Sequence, residues 1–198
     1  MPTRHFDRPA TQDAVVTPDK ANAVLRGGLN IPMRDDHPDF PAVVLANHLL
    51  GGSSTARVPA RVREKEGLSY STFTSFTSSA FDEAATFRVG AIFAPQNRAR
   101  VEAAIREELE RALREGFSAA EIEDGKKSLL EARRLARTQD RSLASRLGSY
   151  LFVKRTFAWD IDFEAKIAAL TPAQVNAALK RHLDPARLSF IAAGDFKK

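Results

Sequence analysis

The sequence predicts an α+β fold, an antiparallel sheet with its helices packed on one face, and three features point to it. Strand-like periodicity is concentrated in residues 21–93, helical periodicity runs from Val101 to the proline at 185, and one more strand-like segment returns at 188–193. Strands grouped early, helices grouped late and a single returning strand describe layers of sheet and helix, not alternating βα units.

Residues 1–18 read as an extended linker or edge segment, because Pro2, Pro9 and Pro18 break any helix. Residues 19–198 read as the domain. Ala21 to Ile31 alternates around Val24, Leu25, Leu29 and Ile31 and predicts a strand. Pro38 suits a helix start leading through Phe40, Val43, Val44, Ala46 and Leu50, with Gly51-Gly52 as its C-cap and turn. A short helix fits Thr55 to Glu66, with Pro59 in its first turn and Gly67 as its stop. Leu68 to Ser78 is rich in Ser, Thr and Phe, which suits a pleated surface. In the next run, Phe87, Val89, Ala91 and Phe93 share one face at period two. The short connection 80–84 makes these two strands an antiparallel hairpin.

Beyond that point, Val101, Ile105, Leu109, Ala112 and Leu113 form a helical stripe closed by Gly116. Ser118-Ala119-Ala120-Glu121 is a capping box for a helix carrying Ile122, Leu129 and Ala136. Asp140 opens another through Leu143, Leu147 and Leu151. Thr171-Pro172-Ala173-Gln174 is a second capping box, with proline where a missing N–H costs nothing. After Pro185, Leu188 to Ala193 is the last strand.

Composition bounds the function. A chain of 198 residues suits one domain, or at most a compact pair of subdomains. It can bury about 70% of its unfolded surface. There is no cysteine, so disulfides and thiolate metal sites are excluded. No apolar run approaches the ~20 residues of a membrane span, and the polar start with Pro2 and Pro9 shows no signal peptide. The compartment stays open. Thirty Lys and Arg face 25 Asp and Glu, but the signs are mixed. The densest basic stretch, Lys126 to Arg146, also carries Glu131 and Asp140. It reads as a solvated or interdomain helix face, and no nucleic-acid motif supports the other reading.

The four histidines, His5, His37, His48 and His182, are scattered. None has a second histidine or a carboxylate at zinc-site spacing on one helix, so no metal site is expected in this chain. His48 reads as a partly buried structural histidine. The serine-rich stretch 69–79 holds no nucleophile elbow, and Lys126-Lys127 follows no glycine-rich phosphate loop.

The most specific stretch is Gly51-Gly52, Thr55-Ala56-Arg57-Val58, then Arg63-Glu64-Lys65-Glu66-Gly67-Leu68-Ser69-Tyr70. It resembles the C-terminal, non-metal half of the pitrilysin/insulinase family of zinc peptidases, whose pattern is Gly-Gly, Ser-Ser-Arg-Leu, Arg-Glu-Lys-x-Gly-Leu-x-Tyr. Asp19-Lys20-Ala21, Glu121 to Lys126, His182-Leu183-Asp184-Pro185 and Gly194-Asp195 extend the resemblance over about residues 19–195. Departures are Thr55-Ala56 for Ser-Ser, Val58 for Leu and Ser69 for the common Ala. The family's zinc motif, His-x-x-Glu-His, is absent from the sequence.

The resemblance implies a processing-peptidase-like metallohydrolase fold and no cofactor in this chain. Zinc would lie in a partner domain carrying His-x-x-Glu-His, in the same chain or a separate subunit, and a peptide would be the substrate. It further implies that Arg63 and Tyr70 reach across a cleft to that peptide. Arg63 lies in the last helical turn, Gly67 reverses the chain and Tyr70 opens the next strand, so both can face one cleft. The plainer reading leaves Arg63 capping helix-end carbonyls and Tyr70 as a rim aromatic. Arg57 starts a helix, where its charge opposes the dipole, so a carboxylate partner that fixes the turn is expected. The alternative function is a non-catalytic core or assembly subunit, as in the family's respiratory-complex relatives.

Overall fold

The computed structural model describes residues 9–196. Pro2 and His5, with the rest of residues 1–8 of the N-terminal segment, lie outside the described residues. Five strands form one sheet: β1 (Gln12–Val16), β2 (Ala23–Ile31), β3 (Ser69–Ser78), β4 (Ala85–Phe93) and β5 (Ser189–Gly194). Their order is β1-β5-β2-β4-β3. The β2–β4, β2–β5 and β3–β4 pairs are antiparallel. The expected all-antiparallel sheet is corrected at one edge, where β1 pairs with β5 in parallel. The physical reason is connectivity: parallel neighbours need a long crossover, and the whole helical region separates β1 from β5 in sequence.

Alternation sets the layers. Along β2 the odd-numbered residues Ala23, Leu25, Leu29 and Ile31 are buried, and Arg26 and Asn30 are exposed. Phe87, Val89, Ala91 and Phe93 of β4 and Phe190 and Ala192 of β5 bury the same face. The helices cover that face only, so one hydrophobic core lies between sheet and helices.

The first helix, α1, spans Phe40–Asn47 with Asp39 at its N-cap; Pro38 lies in the turn before it. It runs on without a break as a π-helical turn, His48–Gly52, and leaves helical geometry at Ser53. The glycine pair is therefore not the expected left-handed C-cap, and neither glycine has positive φ. Gly51 is needed for another reason. A Cβ there would stand 2.6 Å from the backbone nitrogen of Thr74 and 2.7 Å from its Oγ1. The bare backbone lets the π turn lie directly on β3.

A short helix, α2 (Arg57–Pro59), continues as π-helical Ala60–Lys65. Gly67, at φ +60°, stops it. The Gly67 N–H reaches the Arg63 carbonyl (3.1 Å) and the Leu68 N–H the Val62 carbonyl (2.9 Å). Each of these bonds spans one residue more than in the usual glycine stop of an α-helix, because the preceding turn is wound as π.

Then come α3 (Arg98–Glu115), α4 (Ala119–Ala136), α5 (Asp140–Phe152), α6 (Phe157–Ala169) and α7 (Pro172–His182). Both predicted capping boxes are present, at Ser118/Glu121 and Thr171/Gln174. The helix expected from Asp140 through Leu143, Leu147 and Leu151 is present as α5, but its leucine stripe does not enter the core. No residue of that helix is buried, and Leu147 and Leu151 are 48% and 82% exposed. Its polar side carries the fastening instead: Arg146 holds Asp160, a buried carboxylate on α6 that Arg133 of α4 also binds.

One clasp joins the 51–67 segment to the helical layer. Arg57 Nε and Nη2 donate to the two Glu121 carboxylate oxygens at 2.8 and 2.9 Å, and Nη2 also donates to the Gly116 carbonyl at 2.8 Å. Its guanidinium lies 4.7 Å from the centre of the Phe117 ring. Glu121 is at the same time the capping-box acid of α4, accepting the Ser118 N–H at 2.8 Å. The Arg57 hydrogen bonds, assisted by those of Ser118 and opposed by partial burial, hold its carboxyl at about 2 against an ordinary 4.5.

This lowered acidity has a sign. The clasp contributes stability above the unfolded-state value near 4.5, and that contribution is lost as pH falls through about 2. Melting curves should therefore show the parent chain losing more stability between pH 4.5 and 2 than Glu121→Gln does. Arg57→Ala should cost about 2 kcal/mol near neutral pH. Urea titrations should also separate the glycines. Gly67→Ala should cost about 1–2 kcal/mol from its left-handed backbone, and Gly51→Ala about 1–3 kcal/mol from the clash with Thr74. Gly52→Ala should fall within about 0.5 kcal/mol of the parent.

Candidate functional site

The site is built where the second π turn passes into β3. In a regular strand Tyr70 would share the inward face of Thr72 and Thr74. The register prevents this. Ser69 pairs with Phe93 and Ser71 with Ile92, so Tyr70 is an extra residue that forms a β-bulge. Ser69 takes the inward position, where its hydroxyl donates to the carbonyls of Ser71 and Ile92, both at 2.8 Å. Tyr70 is turned out and is 84% exposed. Bulges commonly re-aim a side chain in this way.

The three arginines of the preceding segment divide by their partners. Arg57 is held in the clasp described above. Arg61 binds Glu66 at 2.9 Å and Glu107 at 2.5 Å, and lies 4.0 Å from the buried Glu108. Arg63 differs. Its side chain is 54% exposed, and its ion pair is a 3.3 Å contact with the adjacent, still more exposed Glu64. Such a pair contributes little, so the guanidinium keeps its donors available. Arg63 and Tyr70 thus stand on either side of the Gly67 reversal, both with their polar ends in water.

The outward face of β3 continues from Tyr70 with Ser71 and Phe73. Arg26 of β2 lies 5.5 Å from the Phe73 ring centre, across the row they share with Gly90. A concavity of about 740 Å³ lies at the same end of the sheet, between Lys20, Pro95, Arg98, Glu102 and Asp195. It includes neither Arg63 nor Tyr70. The Asn97 side chain beside it reaches the Leu68 carbonyl at 3.5 Å. His48 lies in the first π turn, its Nε2 2.7 Å from Ser128 Oγ, and burial holds it below the ordinary histidine range. The π windings and the bulge escaped the sequence reading. Glycine and tyrosine mark the positions, but register comes from pairing with β4.

The expectation of no metal-ligating group needs correction in its premise. It rested on spacing along one helix. The fold instead brings His37, from the turn before α1, and Asp39 together with His182, at the far end of α7. Residues 143 apart in sequence, Asp39 and His182, are in hydrogen-bond contact at 2.7 Å.

The comparisons agree with this architecture. The family described as "Peptidase M16 inactive domain" matches residues 2–129. The structure superposes on the peptidase M16 inactive domain from Pseudomonas fluorescens with a TM-score of 0.82 at 24% identity, covering 94% of this chain and 43% of that one. A protease from Helicobacter pylori gives 0.81 at 15% identity, covering 93% and 44%. The periplasmic protease PqqL from Escherichia coli gives 0.74 at 16% identity, covering 93% and 20%. This chain spans less than half the length of each of these solved proteins. No curated protein matches the sequence. The layered α+β fold, the Gly-Gly to Tyr70 segment and the family match together place this chain in the M16, or pitrilysin/insulinase, family of zinc peptidases, as an inactive domain.

Proposed function

We propose that this chain forms one wall of a peptide-binding chamber and serves proteolysis carried out by a zinc-bearing partner domain. The observation that carries the reading is the bulge. It gives up a regular ladder position of β3 to put the Tyr70 phenol into solvent, just past the Gly67 reversal from an arginine whose ion pair is only a contact with its sequence neighbour. A structural tyrosine or a helix-capping arginine needs neither feature.

In such an assembly the partner's zinc supplies Lewis acidity and an activated water. This chain lacks the His-x-x-Glu-His motif, and its contribution is made by donors. The Tyr70 O–H is neutral and directional, suited to a carbonyl oxygen on which negative charge grows. The Arg63 fork offers several N–H donors in one plane and can hold a second backbone carbonyl or an acidic side chain. Gly67 fixes how far apart the two groups begin. The Arg57 clasp holds the segment that carries them.

The alternative, a non-catalytic assembly subunit, draws on a different feature. Leu151 and Phe152 at the end of α5 are 82% and 76% exposed, and Phe152 packs edge-on against the exposed Phe81. An apolar patch of this kind suits burial by another domain. It fits both readings, whereas the outward Tyr70 favours the first.

Steady-state kinetics of the chain joined to its zinc domain, with a quenched fluorescent peptide, decide between them. Tyr70→Phe should lower kcat about a hundredfold, the typical effect of removing one preorganised oxyanion donor. Arg63→Ala should lower kcat and raise KM together, since its fork also serves the ground state. Both variants should keep the fold. Near-parental kcat/KM in both would return these positions to ordinary surface roles. The chain alone should cleave no peptide.

A further inference from the structure

We propose that His37, Asp39 and His182 form a divalent-cation site, of the imidazole–carboxylate kind that takes Zn²⁺, Ni²⁺ or Cu²⁺, which clips the turn before α1 to the end of α7. This inference is independent of the chamber reading and concerns a different part of the molecule. One nitrogen from each imidazole and one oxygen of Asp39 lie within 4.8 Å of one another. The two rings meet edge-on with centroids 5.5 Å apart. A cation placed among the three atoms needs only small side-chain adjustments to reach bonds of about 2.0–2.2 Å.

Asp39 is the informative member. It is the N-cap residue of α1, where an aspartate ordinarily accepts a backbone N–H of the first turn. Here the side chain makes no capping bond. The carboxylate is turned toward α7, and Oδ2 accepts from His182 Nε2 at 2.7 Å and from Arg181. Burial makes the carboxyl a weaker acid, but the hydrogen bonds from His182 and Arg181 outweigh that and hold it below its usual range.

The exchange is chemically simple. His182 Nε2 donates its N–H to Asp39 Oδ2. With that proton moved to Nδ1, the cation takes its place and accepts the Nε2 lone pair. Arg181, 61% exposed, can swing its guanidinium into water. His37 now uses Nδ1 to accept the Asp39 N–H at 3.0 Å, a bond that ligation would weaken or exchange. These losses set the affinity in the micromolar range rather than that of a closed structural zinc site. His37 also lines a concavity of about 260 Å³ with Asp36, Trp159 and Asp162, so water can fill the remaining coordination positions. Two imidazoles select borderline cations over Mg²⁺ or Ca²⁺.

The test is equilibrium dialysis of the untagged 198-residue chain against Zn²⁺, Ni²⁺ and Mg²⁺. One Zn²⁺ should bind per chain with a Kd of roughly 1–50 µM, Zn²⁺ should raise the melting temperature, and Mg²⁺ should not bind at about 1 mM. His37→Ala, which leaves the Asp39–His182 bond in place, should weaken Zn²⁺ binding at least about tenfold. His182→Ala should do the same, with circular dichroism confirming the fold. His5→Ala and His48→Ala should bind like the parent. Absence of saturable binding up to about 1 mM, or binding that survives His37→Ala or His182→Ala, overturns the site.

Discussion

The guanidinium of Arg57 is the point on which this domain turns. It sits where three separately formed pieces meet: the start of the short helix 57–65, the left-handed Gly116 that ends α3, and the capping box that opens α4. Each piece alone is a local motif of modest stability. Joined through one bidentate ion pair, one carbonyl bond and the Phe117 ring, they hold the 51–67 segment in a defined position over the sheet. Arginine suits the place because a planar fork can satisfy a carboxylate and a carbonyl at once while stacking on an aromatic ring.

The same residue type is used in two opposite ways. Asp160 and Glu108 are buried carboxylates, each answered by arginines: Arg133 and Arg146 in the first case, Arg111 and Arg61 in the second. Removing one partner of such a pair strands a charge, so these arginines are committed to structure. Arg63 faces solvent with a weak neighbour contact and has no such commitment. The committed arginines join α4, α5 and α6 to one another and α3 to the segment before β3.

Much of the fold was legible in one dimension. The alternation of β2 and β4, the Gly116 break, both capping boxes and the returning strand are short-range signals, and period and cap chemistry carry them. The stripe on α5 misled because Leu143, Leu147 and Leu151 have the spacing of a core face without being covered by one. Periodicity reports which residues share a face, and what lies against that face is a matter of packing. The parallel β1–β5 edge was equally hidden, since no local signal links two strands so far apart in the chain.

The sequence by itself determined the family, the layered fold and the placing of Arg57, Arg63, Gly67 and Tyr70 in one short motif. These follow from residue types at short, ordered spacings. Only the tertiary structure decided how they are used. Pairing with β4 turned Tyr70 outward through a bulge, and contact with Thr74 gave Gly51 its reason. The meeting of α1 with α7 brought His182 to His37 and Asp39, a neighbourhood that nothing along the chain announces. Each of these is a relation between distant segments, set by the packing of the core and not by any local pattern.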